Sequence, residues 1–183
     1  MAITRIGSLV ESADAERTVA SGTESITVPA DAEIMIVSVS GYSSNGTDGP
    51  AYFSGGVVSI GGSAMTAITG GDAGTSYFQG ASFYKVSPAT GTQTLSWNWK
   101  GTATPYLGVI IVYGFYKGID TAAAVRDSEG KQDPNSPTTS KTLTCLTGDM
   151  IIAWGHLYNE GAMTCAWTGT ATKSLTINSM YEP

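Results

Sequence analysis

Charge is the scarcest commodity in this chain. Asp, Glu, Lys and Arg make up 13% of its 183 residues, against about 25% in an average soluble domain. The nine cationic residues form no stripe: Lys117, Arg126 and Lys131 are interleaved with Asp120, Asp127, Glu129 and Asp133, and the net charge is -6. Nucleic-acid binding needs a basic footprint, and an anionic membrane surface would repel such a chain, so neither partner is expected. Histidine occurs once, at His156. A catalytic imidazole needs a nucleophile and an orienting carboxylate, and the sequence places neither beside it, so His156 reads as a structural or surface residue at a strand end. Cysteine occurs twice, at Cys145 and Cys165, too few for a disulfide framework or a thiolate zinc site. Both fall in expected strands, either as free thiols packed like small hydrophobes or as a cross-strand disulfide.

Long apolar runs are missing too. The longest, Leu107 to Tyr116, contains Gly108 and Gly114 and is too short to span a bilayer. The opening Met1-Ala2-Ile3-Thr4-Arg5-Ile6-Gly7 lacks the basic-then-apolar order of a signal peptide. The 23 glycines supply no phosphate-binding fingerprint and read instead as turns and bulges. The acidic run Asp127-Ser128-Glu129-Gly130-Lys131-Gln132-Asp133 lacks the alternating carboxylates and distal Glu of a calcium loop. Asp120 and Asp127 do not make a convincing glycosidase pair. The expectation is therefore a protein with no catalytic, metal or cofactor site, and not an enzyme.

What remains is rhythm. Short runs of β-formers alternate with Gly, Ser, Thr, Asn and Pro from end to end, the pattern of an all-β sandwich or barrel. Strands are expected at 25–28, 33–40, 57–65, 77–86, 93–99 and 107–116, then at 139–146, 149–157, 162–167 and 173–181. Gly61-Gly62 marks a two-residue hairpin turn. Leu95, Trp97 and Trp99 share one face of the 93–99 strand, the clearest period-two signal present. The segment 107–116 is apolar on both faces and reads as a central strand covered on both sides. Residues 118–138 carry Asp133-Pro134 and Ser136-Pro137 and read as a long loop. Met35, Val37, Val39, Leu95, Val109, Ile111, Ile151, Ala153 and Ile177 are the expected core. Trp97, Trp99, Trp154 and Trp167 occupy positions shared with apolar neighbours and read as packing residues rather than as platforms for sugar rings.

Strand content above about 40%, with little helix, follows from this pattern. The number of strands fits a jelly-roll-like antiparallel β-sandwich over residues 25–183, with an immunoglobulin-like sandwich as the alternative. Residues 1–24 precede the globular pattern. Ile3, Ile6, Leu9 and Val10 there suit an N-terminal arm or edge strand, and 11–17 suit one short helical turn.

Several phrases form a recognisable set: Ile26-Thr27-Val28-Pro29-Ala30, Val58-Ser59-Ile60-Gly61-Gly62, Pro88-Ala89-Thr90-Gly91-Thr92-Gln93-Thr94-Leu95, Tyr116-Lys117-Gly118-Ile119-Asp120-Thr121 and Leu146-Thr147-Gly148-Asp149-Met150. In this order, over about residues 25–155, the chain resembles β-sandwich structural proteins of tailed bacteriophages and prophages. The resemblance carries no catalytic residues. It implies a virion component, either a capsid decoration (cement) protein or a tail or fibre module that binds host surface glycan. The expected partners are copies of itself and the phage major capsid protein or neighbouring tail proteins. Such a protein is made in the host cytoplasm and released by lysis. A polysaccharide-cleaving sandwich is the remaining, enzymatic reading.

Overall fold

The computed structural model describes residues 3–11, 21–43, 57–68, 73–74, 78–98, 106–128, 142–144, 146–153, 156–157, 172–175 and 178–179. In chain order the strands are β1 (Thr4–Glu11), β2 (Ser21–Val28), β3 (Ile34–Ser43), β4 (Val57–Ile60), β5 (Ser63–Ala64), β6 (Thr66–Ala67), β7 (Ala73–Gly74), β8 (Phe78–Val86), β9 (Gly91–Asn98), β10 (Tyr106–Lys117), β11 (Met150–Ala153), β12 (His156–Leu157), β13 (Thr172–Leu175) and β14 (Asn178–Ser179). No helix occurs among the described residues.

Two antiparallel sheets form the body. The first has the order β1-β10-β3-β8-β6, with β7 also on β8; the second has the order β2-β9-β4-β5. The pairings are nested like a folded hairpin: β1 with β10, β2 with β9, β3 with β8, β4 with β5. Contacts of β10 with β3 and of β9 with β4 then close each sheet. From β1 to β4, and again from β8 to β10, each successive strand changes sheet.

Period-two alternation creates the space between the sheets. Met35, Val37 and Val39 of β3, Ala81 and Phe83 of β8, and Ile111, Tyr113 and Phe115 of β10 point inward from the first sheet. Ile26 and Val28 of β2, Val58 and Ile60 of β4, and Leu95 and Trp97 of β9 meet them from the second. Burying each such side chain is worth about 1.5–3 kcal/mol. Tyr113 and Phe115 meet edge to face, with ring centroids 5.9 Å apart.

Local chemistry sets the turns. Gly61 and Gly62 both have positive φ, 55° and 75°, the left-handed pair required by the tightest hairpin turn. A side chain at Gly61 would also collide with the Gln93 amide. The short segment 63–67 passes from one sheet to the other. Ser63–Ala64 pair with β4, the Met65 N–H donates to the Val58 carbonyl at 2.8 Å, and Thr66–Ala67 pair with β8. At the opposite sheet edge, β1 carries a bulge between Ile6 and Val10, with Gly7 at φ 70°.

The segment 111–116 is buried at every position. Its inner side chains enter the sandwich. Its outer ones, Val112 and Tyr116, lie with Gly114 in a small pocket also lined by Leu9 and by Ile152 of β11. Ile152, from beyond the sandwich, therefore reaches the outer side of β10. A Cβ at Gly114 would stand 2.7 Å from Leu9 Cδ2 and 3.2 Å from the Tyr116 hydroxyl, so close packing explains the glycine there.

Several sequence expectations require correction. Residues 142–144 and 146, expected in a strand, form none; Asp127 takes the Thr144 N–H and Asp149 the Leu146 N–H instead, as described below. Beyond the sandwich, pairing is parallel rather than antiparallel: β11 with β13 and β12 with β14. Parallel partners need a long crossover, and the chain between Ala153 and Thr172 supplies one. Glu11, expected in a helical turn, ends β1, and β2 already begins at Ser21. Of the expected core, Met35, Val37, Val39, Leu95 and Ile111 are fully buried, whereas Ile151 is half-buried. Val109 and Ala153 lie in strands whose side chains there are outside the described residues, as is Ile177.

Ile111 is 1% exposed on a strand paired along both edges, so Ile111→Ala should cost about 2–5 kcal/mol. An unchanged denaturant midpoint for that variant would contradict the central position of β10.

Candidate interaction surfaces

The outward face of the second sheet is built from the alternate residues of the same strands that fill the core. On β2 it presents Ser21, Thr23, Ser25 and Thr27; on β9, Thr92, Thr94, Ser96 and Asn98; on β4, Val57 and Ser59. Registers place Thr23 beside Ser96 and Ser96 beside Ser59, Ser25 beside Thr94, and Thr27 beside Thr92. Ser59 Oγ and Ser96 Oγ are hydrogen-bonded at 2.6 Å. These three strands present no charged residue outward. Val57, 59% exposed at one corner, is the face's large apolar residue. Hydroxyls both donate and accept, so this surface has no directional preference for a partner of either sign.

The carboxylates of the described loops are committed to the chain itself. Glu33 ties one end of the sandwich together. Its N–H donates to the Tyr116 carbonyl at 2.9 Å and its carbonyl accepts from the Ser87 N–H at 2.7 Å. Its Oε2 accepts from the N–H groups of Gly118 and Ile119 at 2.8 and 3.0 Å. Asp31 pairs with Lys117, whose hydrogen bond holds the Asp31 carboxyl below its ordinary range. Asp120 Oδ1 accepts from the Ala122 N–H at 3.0 Å.

Asp127 and Asp149 close a clasp between 118–128 and 142–149. Asp127 accepts from the Thr144 N–H at 2.7 Å and from the Ser128 N–H at 2.9 Å. Those bonds, the Thr144 one foremost, lower its pKa. Asp149 accepts from the Leu146 N–H at 2.7 Å and from Arg126 Nε at 2.8 Å, and both contacts lower its pKa, the Leu146 amide more. Gly148, at φ 97°, makes the intervening turn. Asp127, weighed in the sequence as a calcium ligand or half of a carboxylate pair, is thus a loop organiser. No group of three metal-ligating side chains gathers among the described residues.

The remaining sequence candidates are dispersed. His156 lies in β12, opposite Asn178. Trp97 is buried in the core, 3% exposed. Trp99, Trp154, Trp167, Cys145, Cys165 and Lys131 lie outside the described residues. Sequence reasoning missed Glu24. It shares the inward side of β2 with Ile26 and Val28, one of its carboxylate oxygens is out of reach of solvent, and it acts on Tyr113. Burial, and secondarily the Glu24 charge, push the Tyr113 phenol up. Strict alternation was the available signal, because position 24 falls in phase with 26 and 28. No helix among the described residues is long and apolar enough to cross a membrane.

The lowered pKa values of Asp127 and Asp149 fix a pH response. A carboxyl whose folded pKa lies below its unfolded one stabilises the fold above the unfolded value, about 3.9, and that stabilisation disappears as pH falls through the folded value. The clasp should therefore be intact at pH 5 and open progressively below about pH 4. The Thr144 and Leu146 amide proton resonances should each move as its own carboxylate protonates below about pH 4; resonances that instead titrate above that value would contradict the assignment.

Comparison with protein families, with characterised proteins and with solved structures finds no match to this chain.

Proposed function

We propose that this chain is a jelly-roll structural protein of a bacteriophage virion, a capsid decoration protein that oligomerises and stabilises the head shell. The observation that carries this reading is the nested strand pairing, from β1 with β10 inward to the β4–β5 hairpin. This winding supports the double-sheet jelly roll, an eight-stranded architecture used by viral capsid and lectin domains. An immunoglobulin-like sandwich keeps consecutive strands such as A–B and F–G in one sheet, whereas here β1 to β4 alternate between sheets.

Three further features support a structural role over catalysis or sugar binding. The described loop carboxylates accept backbone N–H groups or pair with cations instead of converging on a cleft. Trp97 packs in the core and offers no stacking platform. The low charge and the hydroxyl face suit a surface that packs against copies of itself and a protein shell. The mechanism is mass action: a subunit that binds the assembled shell and not its loose components stabilises the shell. On this reading the protein is made in the host cytoplasm and resides in the virion, with the major capsid protein as partner.

The full chain is the proper reagent for testing this. β1 pairs with β10 and its Leu9 covers Gly114, so removing residues 2–20 would strip a strand from the first sheet. Purified chain added to phage heads that lack it should bind at regular lattice positions, visible by electron cryomicroscopy, and raise the temperature at which the heads release DNA. Failure to bind heads, together with attachment to tail tips or retention on a host-glycan array, would replace the decoration reading with the tail or fibre module.

A further inference from the structure

The outward faces of the two sheets differ in exposure. On the second sheet Thr23, Ser25, Thr27, Thr92 and Thr94 are exposed. On the first, the outward residues Ile34, Ser82, Val112 and Tyr116 are buried, Val112 at 5% and Tyr116 at 2% exposure. Ile152 of β11 stands on this side, lining the same small pocket as Leu9, Ile36, Val112 and Tyr116. β10 is hydrogen-bonded along both edges, to β1 and to β3, and the face of a sheet offers side chains rather than backbone donors. β11 therefore meets β10 through side chains, while its backbone pairs with β13.

We infer that β11 is a latched cover: the clasp holds Ile152 on the outer side of β10, and breaking the clasp uncovers Val112 while both sheets stay folded. This goes beyond the decoration reading and is independent of it.

A continuous series of bonds makes the latch. Glu33, at the end of the sandwich, accepts from the Gly118 and Ile119 N–H groups. Asp120 closes the next turn, its Oδ1 accepting from the Ala122 N–H and its carbonyl from the Ala123 N–H. Arg126 Nε then donates to Asp149 Oδ2 at 2.8 Å, and the same oxygen accepts from the Leu146 N–H at 2.7 Å. β11 starts at the next residue, Met150. Asp149 thus fixes the point from which β11 sets out, two residues before Ile152 ends the approach to the pocket.

The latch and the sheet beneath are held differently. The Arg126 and Asp149 side chains are 43% and 25% exposed, so water competes for their bond, and exposed ion pairs contribute little. The β11–β13 pairing is parallel, slightly less stable per residue than the antiparallel ladders of the sandwich. The strands below share those ladders and one common core. Elements held by exposed hydrogen bonds and few buried contacts open at lower free energy than core strands. Opening here turns Leu9, Ile36, Val112 and Tyr116 from a covered apolar strip into an exposed one.

A Val112→Cys variant of the full chain, treated with a thiol reagent and read at residue 112 by peptide mass spectrometry, should be labelled slowly while the clasp is intact. Adding Asp149→Ala, which removes both bonds of that carboxylate, should speed labelling at least tenfold. Val39→Cys, facing between the sheets where Val39 is 0% exposed, should stay slow in both backgrounds. The unsubstituted chain gives a second reading: in hydrogen exchange, the β11 amides that bond to β13 should exchange well before those linking β3 to β10. The inference is overturned if Asp149→Ala leaves labelling at 112 unchanged, if residue 39 speeds up together with 112, or if β11 amides exchange as slowly as those of β3. A cover that opens apart from the sheets in a chain that ignores phage heads upholds this inference and ends the decoration reading. Decorated heads with a cover that never opens apart do the reverse.

Discussion

Everything described in this fold depends on the double engagement of β10. One edge of the strand is paired with β1 and the other with β3. Its inner side chains fill the sandwich, and its outer ones are roofed by Leu9 and Ile152. The strand therefore needs side chains that satisfy apolar surroundings on both faces, which is why Ile111-Val112-Tyr113 is continuous rather than alternating. It also needs one position without a side chain, Gly114, where the Tyr116 ring and Leu9 crowd in. Remove this strand and β1 loses its partner, β3 gains a raw edge, and the roof has nothing to cover.

The nested pairing has an energetic consequence. Long-range pairing imposes loop-closure entropy before its contacts form, and β1 with β10 is the most distant pair in the sandwich. The innermost pair, β4 with β5, closes over the two residues Gly61 and Gly62, so it is the least costly to form. Zipping outward from that hairpin, β3 with β8, then β2 with β9, then β1 with β10, forms each distant pair after the intervening chain has been shortened by the one before. Glu33 joins the β2–β3, β8–β9 and β10-exit turns only when all three stand at the same end of the sandwich, so its four hydrogen bonds report the completed winding.

The sandwich was legible in the sequence because its signals are local. Alternation in Leu95-Ser96-Trp97 and Met35-Ile36-Val37 names the inward residues, Gly61-Gly62 names the turn, and the unbroken apolar run at 107–116 names the strand covered on both faces. Strand order is not a local signal, so pairing of β1 with β10 was not readable. The region after Lys117 misled for a physical reason. Thr142-Leu143-Thr144 alternates like a strand, but the Thr144 N–H meets Asp127 and the Leu146 N–H beyond it meets Asp149, and carboxylates that accept main-chain N–H groups compete directly with a β-ladder. Parallel pairing of β11 with β13 was hidden likewise, since alternation does not encode strand direction. Glu24 shows the limit from the other side: the pattern placed it inward, and composition offered no reason for a carboxylate to be there.

The scarcity of charge acquires a meaning from where charge is placed. Among the described residues, Asp31, Glu33, Lys117, Asp120, Arg126, Asp127 and Asp149 cluster at one end of the sandwich and in the clasp beyond it, where they hold loops. The outward sides of β2, β9 and β4 have none. A chain that needed solubility as an isolated particle would spread charge over its broadest exposed sheet, because like-charged surfaces stay apart. The outward face of that sheet is neutral, hydrated through hydroxyls, and able to approach another neutral surface without desolvating an ion. Hydroxyls lose little on that approach, since each exchanges a water partner for a protein one. On the proposed reading, a neutral hydroxyl face is the part of this surface that contact with another protein would use at least cost.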